Sequence, residues 1–163
     1  MVRRNGAGRV MSRIAGLSSP MGMKLLLDRI SLALVAFTSA YVGVFAYFAP
    51  ESWYDTFPGF GFRWLPQLGP YNEHLAKDVG AFYLAVTVLS LIVLAQVRNQ
   101  VVVRLAGAVL LTFNVLHFVY HLTMLHMYEP RDRVLNVIVL GLLVVASVVL
   151  LVPGAGRGAD RAP

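Results

Sequence analysis

The third apolar stretch of the sequence carries an asparagine and two histidines at helical spacing. Asn114, His117 and His121 are separated by three and four residues, so a helix places them on one face. Gly107 and Leu110 continue that face towards the start of the stretch. Because unpaired polar groups are costly in hydrocarbon, we expect this face to point into a helix bundle.

A second polar group lies where the chain reaches the second apolar stretch. Glu73, His74 and Asp78 follow one another within six residues, and His74 and Asp78 share a helical face. Ala81 and Ala85 continue this face with small side chains. Small residues allow a neighbouring helix to approach closely, so we expect this face to pack inside the bundle.

The two polar groups should meet, because the second stretch enters the membrane on the side where the third leaves it. We expect a hydrogen bond between Asp78 and His121, which would fix the tautomer of the imidazole. His117 and His121 at i and i+4 could both bind a transition metal, completed by Glu73, His74 or Asp78. A bis-histidine haem would instead use His74 with His117 or His121.

A proton-handling pocket for a lipophilic substrate or a quinone is a third chemistry open to these residues. Asn114, with Tyr83 or Tyr120, would then form hydrogen-bonding walls. The simplest alternative is that the polar side chains hold helices together. The leading hypothesis is therefore a non-enzymatic or accessory membrane component, and its rival is a pocket that binds a small lipophilic molecule, a quinone or a metal.

Four stretches without Asp, Glu, Lys or Arg must position these residues. They cover 30–48, 79–97, 105–125 and 134–152. At about 1.5 Å per helical residue, each is long enough to cross a hydrocarbon core of about 30 Å. Since 58% of the 163 residues are hydrophobic and only 13% are charged, the sequence predicts an all-α, polytopic membrane protein, a bundle of four transmembrane helices.

The charges outside these stretches predict the orientation. Ten of the 14 Lys and Arg residues lie before the first stretch, between the second and third, or after the fourth, and six of the eight acids lie on the other side. The positive-inside rule therefore predicts a plasma-membrane protein with both termini in the cytoplasm. The net charge of +6 therefore indicates topology signals and anchors for anionic lipid rather than a surface for nucleic acid. The expected partners are the lipid bilayer and a membrane protein or a second copy of the chain.

The predicted transmembrane domain covers 24–152, between a disordered basic cytoplasmic tail at 1–23 and a second disordered tail at 153–163. An outer loop at 49–78 is dense in aromatic residues, which favour the membrane interface. The chain has no cysteine, which excludes thiol redox chemistry and disulfides. We further expect Asp28 to pair locally with Arg29, His126 to lie at the interface, and Asn136 to join the outer polar group.

Several of these residues together resemble a known group of sequences. They are Pro50, the aromatic loop, the segment Asn72-Glu73-His74-Leu75-Ala76-Lys77-Asp78-Val79-Gly80, and Asn114, His117 and His121. Across residues 24–152 the pattern resembles uncharacterised small four-span membrane proteins from high-GC bacteria, and more distantly the DoxX-like superfamily. The resemblance implies a four-helix membrane bundle with, for some members, an accessory role in redox or sulfur metabolism.

Overall fold

The computed structural model of the chain describes residues 19–154, and within this range the protein is all-helical. Five α-helices follow one another: α1 (Pro20–Phe48), α2 (Pro50–Thr56), α3 (Glu73–Ala95), α4 (Gln100–Thr123) and α5 (Pro130–Leu151). Short 3₁₀ turns occupy Leu65–Gln67 and Leu125–Met127. Residues 1–18 and 155–163, where the sequence predicts most of the two tails, lie outside the described range.

Four of these helices, α1, α3, α4 and α5, are long and apolar enough to cross a membrane. They pack side by side as a bundle: α1 lies against α3 and α5, and α4 lies against α5. The contact between α3 and α4 is much smaller than the contact between α1 and α3. The predicted all-α bundle of four long apolar helices is therefore confirmed.

Capping side chains explain where the long helices begin. The Ser19 hydroxyl accepts a hydrogen bond from the Gly22 amide at 3.1 Å, so α1 begins at Pro20, ten residues before the predicted apolar stretch. Asn72 caps α3 by accepting from the Leu75 amide at 3.1 Å, as its position in the sequence predicts. The predicted loop at 49–78 is shortened at both ends, by α2 and by the early start of α3.

Two glycines allow the helices to approach closely. A Cβ on Gly80 would lie 2.6 Å from the Tyr47 backbone nitrogen, where α3 crosses α1, and a Cβ on Gly107 would lie 2.8 Å from the Leu150 Cβ, where α4 crosses α5. Ala81 and Ala85, which the sequence predicted to face a neighbouring helix, are instead exposed on the outside of the bundle. The small residue that brings α3 against α1 is therefore Gly80.

The apolar core and the aromatic loop occupy different levels of the bundle. A cluster of buried aliphatic side chains, including Leu32, Val93 and Leu150, joins all four long helices. The loop closes the opposite end, where Trp53 and Trp64 are buried. Buried polar residues lie at both ends of this aliphatic core.

Candidate functional site

The polar face of α4 is turned into the bundle. Gly107, Leu110, Asn114 and His121 are buried, and His117 is half-buried beside them. The helical spacing therefore predicted the buried face of α4 correctly. The partners of these side chains, however, differ from those that the sequence suggested.

Asn114 forms a buried hydrogen bond to the neighbouring helix. Its amide Nδ2 donates to the Ser147 hydroxyl at 2.9 Å, and that hydroxyl donates in turn to the Leu143 carbonyl at 2.8 Å. The pair joins the middle of α4 to α5. Ser147 is fully buried and is the partner that the sequence analysis did not identify.

The predicted hydrogen bond between Asp78 and His121 is wrong. The Nδ1 atom of His121 lies 3.2 Å from the Tyr128 hydroxyl, whereas Asp78 pairs with His74 at 3.3 Å on the surface, where the two side chains are 65% and 88% exposed. Ala76 is buried against α1. Since residues two apart in a helix differ by about 200° around the axis, burial of Ala76 turns Asp78 outwards.

The two histidines of α4 contact each other without the other members of the predicted site. The His117 ring lies edge-on to the His121 ring with 4.5 Å between centroids, and it stacks on Phe113 at 5.3 Å. Glu73 and His74 are exposed at the start of α3. Within residues 19–154, no three His, Cys, Asp or Glu side chains are grouped to hold a metal ion. The structure thus separates His117 and His121 from their proposed co-ligands for metal or haem.

The two tyrosines that were candidate pocket walls contact neighbouring rings. Tyr83 is half-buried and meets Phe113 edge-on at 5.6 Å, and Tyr120 is exposed with its ring 5.7 Å from His121. His126 is exposed. A row of rings therefore runs from α3 across α4 towards the loop.

This row ends in a buried polar group around Tyr128, which we call the outer cluster. It consists of Trp64, His121, Tyr128, Asp132 and Asn136, all nine-tenths or more buried. The Trp64 ring meets the Tyr128 ring edge-on at 6.4 Å, and the His121 imidazole bonds the Tyr128 hydroxyl. The cluster therefore joins the loop, the end of α4 and the start of α5. It includes Asn136, as the sequence predicted, but not His74 or Asp78.

Among the residues that the structure describes, several atoms of the outer cluster have no hydrogen-bond partner. Both side-chain atoms of Asn136 are unpaired although the residue is only 1% exposed, and the Trp64 indole nitrogen is unpaired as well. Asp132 Oδ1 lies 3.5 Å from Arg131 Nε, an ion-pair distance, but accepts no hydrogen bond. Native proteins rarely leave buried polar atoms unpaired, so this group is unusual.

The environment of Tyr128 favours its neutral form. Burial is the main cause that raises the pKa of Tyr128 to about 12, and Coulombic interactions with Tyr120 and Asp132 act in the same direction. Asn136 lies beside the hydroxyl and partly opposes the shift, although its geometry falls short of a hydrogen bond. The Tyr128 carbonyl accepts from Arg133 Nε at 2.7 Å. The tyrosine is therefore held in place from both its backbone and its ring.

A second buried polar group, which we call the inner cluster, consists of Lys24, Asp28 and Gln100 at the other end of the bundle. Lys24 and Asp28 form a buried ion pair, and Asp28 is 0% exposed. Lys24 Nζ also donates to the Val149 carbonyl at 3.1 Å, and Gln100 Nε2 donates to Asp28 Oδ2 at 3.2 Å. The expected local pair of Asp28 with Arg29 is wrong, since Arg29 is exposed.

Both clusters contain a pair of polar residues at helical spacing, which a search for apolar stretches does not detect. Lys24 and Asp28 are four residues apart at the start of α1, and Asp132 and Asn136 are four residues apart at the start of α5. Such pairs share a helical face. Each pair begins outside the apolar stretch of its helix, so the stretch without charges does not contain the whole pair. Tyr128 gave no comparable signal, since it lies in an irregular connection.

The fold defines a multi-pass membrane protein with four candidate spans in contact with lipid. No family model, curated protein or solved structure matches the chain.

Proposed function

We propose that the chain is a non-enzymatic component of the plasma membrane, an accessory subunit whose four-helix bundle presents a polar cluster at its outer end. The observation that supports this proposal is that polar side chains of the membrane-crossing helices pair with one another. Asn114 binds Ser147 between α4 and α5. The inner cluster joins α1, α4 and the Val149 carbonyl of α5.

These contacts account for polar residues that would otherwise suggest catalysis. Lipid does not drive helices together as water does, so bundles in membranes depend on close packing and interhelical hydrogen bonds. Asn114 lies in the middle of α4, and its amide donates to the Ser147 hydroxyl on α5. Such a pair is suited to fixing the register of two helices.

The orientation is part of the proposal. Arg29, Arg98 and Arg104 are exposed at the end of the bundle that holds the inner cluster. Exposed arginines at a membrane surface attract anionic lipid and favour the cytoplasmic side. Both termini would then lie in the cytoplasm, with the aromatic loop outside.

The DoxX-like resemblance remains part of the same proposal. An accessory role in membrane redox or sulfur metabolism is what the resemblance implies, and a bundle held by internal polar contacts is suited to a subunit without a reaction of its own. Its partner would be another membrane protein or a second copy of this chain.

The proposal is tested on the full chain purified in detergent. We expect an absorption spectrum without a Soret band and no stoichiometric zinc, iron or copper by elemental analysis. Asn114→Ala should lower the melting temperature, because it removes the bond to Ser147, whereas Thr112→Ala, an exposed change on the same helix, should not. Stoichiometric metal or haem that disappears in a His117→Ala, His121→Ala double variant would refute the non-enzymatic assignment.

A second candidate function is the binding of a small lipophilic molecule in the outer half of the bundle. The observation that favours it is the set of unpaired buried atoms on Trp64, Asp132 and Asn136. Of the seven unpaired buried side-chain atoms within residues 19–154, four belong to these three residues, whereas the buried amide of Asn114 is paired with Ser147. A molecule that enters from the outer leaflet could supply the missing partners.

A further inference from the structure

We infer that the outer cluster is a binding site for a neutral amphiphile whose headgroup carries hydrogen-bond donors and acceptors together, such as a primary amide or a hydroxyl group. This inference rests on the second candidate function, lipophilic binding, and names its site and its ligand chemistry. The residues that would contact the headgroup are Trp64, Asp132 and Asn136, which surround Tyr128.

The unpaired atoms determine the headgroup. The Trp64 indole nitrogen and the Asn136 amide nitrogen are donors, and the Asn136 and Asp132 oxygens are acceptors. A primary amide offers a carbonyl that accepts from the two donors and an NH₂ that donates to the two acceptors. A hydroxyl group satisfies one donor and one acceptor. A ketone or an ether offers acceptors only and would leave both oxygens unpaired.

The charges around the site favour a neutral ligand. The Asp132 carboxylate disfavours an anion. A cation is disfavoured because Arg131 already lies 3.5 Å from Asp132 and sits over the Phe62 ring at 4.2 Å. Arg131 is therefore already the counter-ion of Asp132. The unpaired atoms of the site require hydrogen-bond partners rather than a further charge.

The position of the site explains why the ligand should also carry an apolar chain. The cluster lies at the outer ends of α4 and α5, beneath Trp64 of the aromatic loop. Tyr120, Met127 and Val134 are exposed next to it in the sequence and offer an apolar surface at the membrane interface. A headgroup bound at Tyr128 can thus keep its alkyl chain in the outer leaflet.

Asn136 and Asn114 form a matched pair for the test. Both are buried asparagines of the bundle, but within residues 19–154 Asn114 has a hydrogen-bond partner and Asn136 has none. Asn136→Leu removes an unpaired amide, so the empty protein should be as stable as the wild type or more so. Asn114→Leu removes a paired amide, so it should lower the melting temperature and leave the ligand site intact.

The experiment titrates the full-length protein in detergent with decanamide, decanol, 2-decanone and decane. Binding is followed by tryptophan fluorescence, since Trp64 is one of only two tryptophans, and by the ligand-induced rise in melting temperature. We expect decanamide and decanol to bind at least about tenfold more tightly than 2-decanone, and Asn136→Leu to weaken decanamide binding by about tenfold or more. Asp132→Asn, a milder change, should reduce the preference for decanamide over 2-decanone.

The outcomes separate this inference from the function on which it rests. Equal affinity for decanamide, 2-decanone and decane, unchanged in Asn136→Leu, would overturn the hydrogen-bonding site while leaving lipophilic binding in place. No saturable binding of any of the four compounds would overturn both. A lower melting temperature in Asn136→Leu with unchanged decanamide affinity would assign Asn136 a structural role and would also overturn the inference.

Discussion

The buried ion pair of the inner cluster gives a prediction with a large expected effect. Lys24→Met removes the one cation that pairs with the Asp28 carboxylate within residues 19–154, and Asp28 is 0% exposed. The hydrogen bond from Gln100 remains, but one amide donor does not replace an ammonium ion. Breaking a buried ion pair by removing one partner costs about 3–5 kcal/mol. Lys24→Met should therefore be strongly destabilising.

The same structure predicts that the two single variants differ. In Asp28→Leu the Lys24 ammonium keeps its bond to the Val149 carbonyl and, near the end of its helix, can extend towards water. Asp28 is fully buried and has no such route. Lys24→Met should thus be the more damaging single change, and the Lys24→Met, Asp28→Leu double variant should recover most of the loss, because an apolar replacement of a buried pair is often neutral.

Thermal unfolding in detergent measures these effects. For a chain of this length, about 3–5 kcal/mol corresponds to a fall in melting temperature of roughly 6–20 °C. Arg29→Met is the matched control, since Arg29 is exposed one residue from Asp28, and it should change stability by less than about 0.5 kcal/mol. The reasoning is refuted if Lys24→Met unfolds within 2 °C of the wild type, or if the double variant is less stable than both single variants.

Two further predictions concern helix packing and pH. Gly80→Ala should cost about 1–3 kcal/mol, because its Cβ would lie 2.6 Å from the Tyr47 backbone nitrogen. Gly141→Ala, whose nearest neighbour is Phe118 Cζ at 4.0 Å, should be neutral or slightly stabilising, and equal melting temperatures for the two variants would contradict this account. Because the pKa of Tyr128 is raised from 10.0 to about 12 in the fold, its contribution to stability is complete below pH 10 and is lost as the pH rises towards 12. Tyr128→Phe should therefore show a smaller loss of stability than the wild type between these pH values in denaturation experiments, and an identical loss would exclude this effect.

The sequence predicted the elements of the fold well because each depends on local chemistry. Apolar stretches of 19 to 21 residues without charge gave the four long helices. Asn72 was recognised as a helix cap from its position before Glu73, and the spacing of Asn114 and His121 gave the buried face of α4. None of these predictions requires knowledge of which helices are neighbours.

The contacts between helices were not predictable in the same way. Two faces of α3 contain small residues, and spacing alone did not decide between the face of His74 and Asp78 and the face of Gly80. The close packing of Gly80 against α1 determines which face of α3 is buried, and it turns His74 and Asp78 outwards. Counting charges also placed Lys24 and Asp28 outside the first span, although their mutual pairing allows α1 to bury both.

Single-cysteine labelling tests the proposed membrane topology most directly. The chain has no cysteine, so each introduced thiol is the sole target of a membrane-impermeant maleimide. Tyr71→Cys lies before α3, Gln96→Cys lies after it, and Ile138→Cys lies on the exposed side of α5. We expect labelling at position 71 in intact cells, labelling at position 96 only after permeabilisation, and little labelling at position 138 in either case. Labelling of positions 71 and 96 alike in intact cells, or rapid labelling at position 138, would contradict the four-span arrangement.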